Sequence, residues 1–137
     1  KINSFQVYLK EKKVKTIPLK VSAPFHCSLM MPAAQNMSKK INEIKFKKPL
    51  IEIINNVFAD IENDPQIIKK NLIEQIHSTV KWRESIEHMK KRGIRNFVEI
   101  GPGKALTGMV KRTIEDVNCF SINSLDDIKN LNDKLQK

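Results

Sequence analysis

Apolar residues at Ile2, Phe5 and Leu9 recur every three or four positions, which predicts a helix over residues 2–12. Ile17, Leu19 and Val21 then alternate with polar neighbours, and this period of two predicts a strand over residues 16–21. Pro24 breaks the pattern because it has no amide hydrogen for a ladder, so His26 is expected just past a strand end. From Ser28 onward, Met30, Ala33, Ala34, Met37, Ile41 and Ile44 step by three and four, with Pro32 tolerated in the first turn. That is an amphipathic helix, and its methionine-rich stripe reads as core packing.

The second half of the chain alternates more regularly. Residues 50–54, rich in β-branched side chains after Pro49, read as a buried strand that ends at Asn55-Asn56. Asp64 followed by Pro65 is a helix cap and first helical position, and Ile68, Leu72 and Ile76 continue that helix. A further helix is expected from Thr79, with Trp82, Ile86 and Met89 on its inner face and Gly93 as its stop. Residues 96–100 form a strand, Gly101-Pro102-Gly103-Lys104 a tight turn, and residues 105–112 a helix. A last strand over 118–122 leads to a final helix capped by Ser124. Strands alternating with helices predict an α/β fold with a parallel sheet. Sites in such sheets form at the carboxyl ends of strands, where both His26 and the Gly-Pro-Gly turn fall.

The length of 137 residues suits one ordinary domain. No apolar run approaches the ~20 residues that a membrane helix needs, so no membrane partner is expected. No secretory signal is visible at the start, and the absence of an initial Met together with an opening inside a helical pattern leads us to expect a piece of a longer protein. Cys27 and Cys119 are too few for a disulfide framework, and no Cys or His pair has zinc spacing; a reducing compartment, the cytoplasm or an organelle, and no metal are expected.

The formal net charge is +10, and 21 of the 25 basic residues are Lys. Duplex-reading surfaces draw on the forked guanidinium of Arg, the lysine clusters are scattered, and no aromatic stacking stripe accompanies them, so nucleic acid is not expected as a partner. An acidic protein or a nucleotide remains open as the partner of this charge.

Chemistry narrows to few residues. Gly101-x-Gly103 with Gly108 fits neither dinucleotide nor P-loop spacing, and reads instead as a strand-to-helix turn that exposes amide hydrogens to an anion. His77 and His88 lie on helices without partners at metal spacing and read as surface or capping residues. His26 at a strand end can be a general base near neutrality, but a base needs a nucleophile. The chain has no Gly-x-Ser-x-Gly elbow, and Cys27, pointing away from its neighbour, reads as a small filler.

Several motifs occur in one order: Val21-Ser22-Ala23-Pro24-Phe25-His26-Cys27-Ser28-Leu29-Met30 with Pro32-Ala33-Ala34, Ile54-Asn55-Asn56-Val57, Glu74-Gln75-Ile76, Val80-x-Trp82, and Glu99-Ile100-Gly101-Pro102-Gly103-Lys104-x-Leu106-Thr107-Gly108. Together they resemble the C-terminal part of the malonyl-CoA:acyl carrier protein transacylase family. The resemblance implies the C-terminal portion of an α/β-hydrolase-like large subdomain over residues 22–137, preceded by the end of a ferredoxin-like insert over residues 1–21. It implies a ping-pong transfer of malonyl from coenzyme A to acyl carrier protein in fatty acid biosynthesis, without a cofactor. His26 would be the catalytic base and Gln75 the residue whose carbonyl orients it, while Phe25 would border the acyl group. The nucleophilic Ser and the Arg that pairs with the malonyl carboxylate would lie on the missing N-terminal part, so this chain alone is expected to be inactive. Two rivals stay open: a non-catalytic α/β module that binds an acidic protein or nucleotide, and a related acyltransferase with another acyl donor.

Overall fold

The structure, a computed structural model, describes residues 2–18 and 21–135. Helix α1 spans Ile2–Glu11, and a 3-10 turn at Ser28–Met30 leads into α2, Met31–Glu43. Strands β1 (Ile53–Ile54) and β2 (Ile61–Glu62) precede α3 (Pro65–Glu74) and α4 (Trp82–Lys91). The chain then runs through β3 (Asn96–Ile100), α5 (Ala105–Thr113), β4 (Asn118–Ile122) and α6 (Leu125–Leu135).

The last four elements form as the sequence predicts. β3 and β4 are parallel, pairing Asn96 with Asn118 through Ile100 with Ile122, and α5 is the crossover between them. The turn into α5 needs left-handed backbone at Gly101 and Gly103, with φ 135° and 98°. Glu99 accepts the amide hydrogens of Thr107 at 2.7 Å and Leu106 at 3.1 Å in the first turn of α5, while in the glycine turn before it the Gly101 and Gly103 amides donate to the Ile122 carbonyl and to Asn123 Oδ1. The Thr107 amide and hydroxyl, then the Leu106 amide, hold the Glu99 carboxyl below its ordinary range. Ser124 caps α6 reciprocally: its Oγ accepts from the Asp127 amide, while the Asn123 amide and Ser124 hydroxyl each donate to Asp127 Oδ2 at 2.9 Å.

Where α4, α5 and this sheet meet, Ile86, Val110 and Ile114 are buried, with Trp82, Met89, Phe97, Val117 and Cys119 packed around them. α2 and α3 form a second packed pair in which Ala34 is buried. Lys69, midway along α3, donates to the Asn42 carbonyl near the end of α2, while His26, just before α2, meets Gln75 at the end of α3, so the two helices run antiparallel. Asp64 caps α3 as expected, its Oδ1 accepting from the Gln66 and Ile67 amides at 2.7 Å and 3.2 Å.

Four expectations need correction. Residues 14–18 form no strand; Pro18 removes a ladder amide and no neighbouring strand lies beside them among the described residues, while Leu19 and Lys20 lie outside those residues. The strand expected over 50–54 contracts to Ile53–Ile54, paired antiparallel to β2, because Leu50 and Ile51 face solvent with nothing to pack on. The methionine stripe of α2 is not core: Met37 is 50% exposed, since only the Ala34 side of the helix meets α3. α4 begins at Trp82 instead of Thr79, with Lys81 as its cap.

Candidate active site

The segment from Ser22 to Cys27 is a tight bend. The Phe25 amide donates to the Ala23 carbonyl at 2.9 Å, and the Cys27 thiol donates to the Pro24 carbonyl at 3.1 Å. Cys27 is therefore a half-buried residue that ties the bend, which bears out its reading as a filler in part. His26 has φ 57°, left-handed backbone that a non-glycine residue adopts at a cost of order 1–2 kcal/mol. Such strain persists only where the surrounding structure holds it.

What holds His26 is a hydrogen bond across the fold. Its Nδ1–H donates to the main-chain oxygen of Gln75 at 3.0 Å. A carbonyl can only accept, so this contact places the proton on Nδ1 and leaves the Nε2 lone pair free to take another. The acceptor is available because Gln75 caps the C-terminus of α3, where the last carbonyls have no partner within the helix. Antiparallel packing of α2 on α3 brings the start of one helix beside the end of the other, and His26 lies just before the 3-10 turn that starts α2.

The structure brings His26 and Gln75 together, and the oxygen that meets the ring is the main-chain carbonyl of Gln75. Residue identity carries no signal for a main-chain acceptor; the usable signal is position, since Asp64-Pro65 fixes where α3 begins and so where it ends. Phe25 stands beside His26 with its side chain 55% exposed, and the His26 side chain is exposed as well. His77 and His88 are both partly buried. His77 lies 3.8 Å from Glu74, and the His88 Nδ1–H donates to the Ala59 carbonyl at 3.0 Å. Among the described residues no three His, Cys, Asp or Glu side chains gather in a way that could hold a metal ion, and no helix is long and apolar enough to cross a membrane.

No family model matches the chain. Individual relatives do. The malonyl CoA-acyl carrier protein transacylase of Staphylococcus aureus (strain COL) is 38% identical over 119 residues, which is 87% of this chain and 39% of that protein. The transacylase of Escherichia coli (strain K12) is 36% identical over 109 residues, 80% of this chain and 35% of the relative. Among solved structures, an acyl carrier protein S-malonyltransferase from Vibrio cholerae superposes with a TM-score of 0.83 at 40% identity, covering 91% of this chain and 41% of that one. A malonyl-transacylase solved in complex with its type II polyketide acyl carrier protein superposes with a TM-score of 0.87 at 30% identity, covering 97% and 43%. The chain spans about two fifths of the length of these relatives. Over nearly all of its own length it is a homologue of the malonyl CoA-acyl carrier protein transacylases, with their α/β acyltransferase fold.

Proposed function

We propose that this chain carries the proton-transfer half of a malonyl-CoA:acyl carrier protein transacylase, with His26 as general base and a serine nucleophile supplied by the part of the enzyme that the chain does not match. The observation that carries the reading is the His26 Nδ1–H bond to the Gln75 carbonyl, which sets the tautomer a base requires.

In the first half-reaction Nε2 of His26 takes the serine Oγ proton as Oγ bonds to the thioester carbonyl carbon. The C–S bond to coenzyme A then breaks, and the same proton goes to the departing sulfur. In the second half-reaction Nε2 takes the proton of the phosphopantetheine thiol. That sulfur attacks the malonyl ester, and the proton returns to the serine oxygen. The neutral carbonyl of Gln75 holds the ring throughout without changing its own protonation state. Phe25, exposed beside the ring, borders the acyl group.

In the same reading, residues 1–21 end a ferredoxin-like insert and residues 22–137 belong to an α/β-hydrolase-like large subdomain. Coenzyme A thioester and acyl carrier protein are the partners, and the net charge of +10 suits an acidic carrier. The test is reconstitution: the chain joined to the N-terminal part of a relative should transfer malonyl, and the chain alone should not. Wild-type turnover in the joined enzyme with His26→Ala would remove His26 from the mechanism.

A further inference from the structure

The Gln75 carbonyl is free to meet His26 because of the way the chain leaves α3. A carbonyl in the last turn of a helix has two competing fates, an amide further along the chain or a donor from outside. Here the amides that follow go elsewhere. His77 and Ser78 both donate to the Glu74 carbonyl, at 3.3 Å and 3.1 Å, and the Lys81 amide donates to the Asn56 carbonyl at 2.9 Å. Among the described residues no main-chain amide donates to the Gln75 carbonyl, and its partner is the His26 ring.

Glu74 holds the same turn a second time, through its side chain. The Ser78 hydroxyl donates to Glu74 Oε1 at 2.9 Å in a partly buried setting, and His77 Nε2 stands 3.8 Å from Glu74 Oε2. The main chain and the carboxylate of one residue therefore clasp the residues on the far side of Gln75. Hydroxyl bonds to an ionised carboxylate are roughly twice as strong as bonds between neutral groups. Helix ends fray, and a frayed turn tips its carbonyls out of line. A helix that wound on instead would hand the Gln75 carbonyl to the Thr79 amide, four residues along. The tether at Ser78 opposes the first outcome, and the bond from Lys81 to Asn56 opposes the second. The other pairs three or four residues apart, Lys40 with Glu43, Arg83 with Glu87 and Lys129 with Asp126, each have a largely exposed partner and tether no residue of the candidate site.

We propose that Glu74 and Ser78 are positioning residues for the transfer reaction: their hydrogen bond fixes the turn that presents the Gln75 carbonyl to His26, and so keeps the proton of the base on Nδ1. Both act through the main chain of Gln75 and not on the reacting atoms. The inference rests on the reading of His26 as general base, whereas the clasp rests on the geometry of the turn.

The test uses the joined enzyme with isotope-labelled histidine, the His26 signals being assigned by their loss in His26→Ala. In the wild type the His26 Nδ1–H should give a protected proton resonance, with the nitrogen shifts of a ring protonated at Nδ1. Glu74→Ala and Ser78→Ala should each broaden or remove that proton and move the nitrogen shifts toward a mixture of tautomers, while the far-ultraviolet spectrum is retained. In each, kcat should fall about three- to tenfold, the effect of weakening one neutral hydrogen bond, with KM for malonyl-CoA within about twofold. Glu74→Gln keeps an acceptor for the Ser78 hydroxyl, so it should return the resonance and at least about half of the turnover. The double alanine variant should lose no more than either single one, since both remove the same bond. Unchanged His26 signals in both alanine variants, losses that add in the double variant, no recovery in Glu74→Gln, or a change confined to KM would each overturn the proposal. Wild-type turnover in His26→Ala alongside the expected resonance changes would instead sink the general-base reading and leave the hold on the ring standing.

Discussion

The imidazole of His26 and the main-chain oxygen of Gln75 stand 3.0 Å apart although 49 positions separate them along the sequence. Because the acceptor is backbone, replacing the Gln75 side chain leaves it in place. In the reconstituted enzyme Gln75→Ala should therefore keep turnover within about tenfold of wild type, as expected when no more than a neutral hydrogen bond is weakened. His26→Ala should cost about 10²- to 10⁴-fold in kcat, the range that a general base contributes, with malonyl-CoA binding largely kept. Steady-state thiol-exchange kinetics on the two variants check this, and equal losses would contradict a main-chain role for Gln75.

The left-handed backbone of His26 gives a separate stability prediction. Asn tolerates this conformation and a β-branched residue does not. His26→Asn should unfold in urea near the wild-type midpoint, whereas His26→Val should lose about 1–2 kcal/mol beyond it. Comparing the two isolates the strain from loss of the ring.

Asp64 accepts two amide hydrogens at the start of α3. Asp64→Ala should cost about 1 kcal/mol of stability, within the range for a lost cap. Glu62→Ala, one turn outside the helix, makes a useful comparison because Glu62 accepts from the Asn63 and Asp64 amides and not from α3. Urea denaturation followed by circular dichroism measures both.

Glu99 makes stability depend on acidity. Held below its ordinary value of 4.5, chiefly by the Thr107 amide and hydroxyl, its folded carboxyl binds a proton less readily than in the unfolded chain. Its contribution is complete above the unfolded value and disappears as pH falls through the lower folded one. Glu99→Gln should lower the unfolding midpoint at neutral pH and flatten its decline on the acid side. Urea midpoints from neutral down past the ordinary glutamate range would show this, and an unchanged acid slope would exclude Glu99 as a source.

What was legible in the sequence was local. Asp64-Pro65 announced a helix start, Ser124 announced another, and Gly101-Pro102-Gly103 announced the turn between a strand and a helix, because each signal is satisfied by residues a few positions away. The strand expected over 16–21, the first half of that expected over 50–54 and the core role expected of Met37 depend on neighbours to pair or pack with, and among the described residues those neighbours are not there. The candidate site divides the same way. His26 stood out by residue type and position, and the resemblance added Gln75, but a backbone oxygen has no letter in a sequence.

The length of α3 now acquires a meaning of its own. The helix works as a ruler, measured from the aspartate that begins it to the carbonyl that meets His26. One residue inserted between Pro65 and Glu74 would turn that carbonyl by about 100° and advance it by about 1.5 Å, enough to unhitch the ring while leaving every side chain of the site unaltered. Substitutions along the ruler thus leave the contact in place, whereas a change in the number of its divisions removes it.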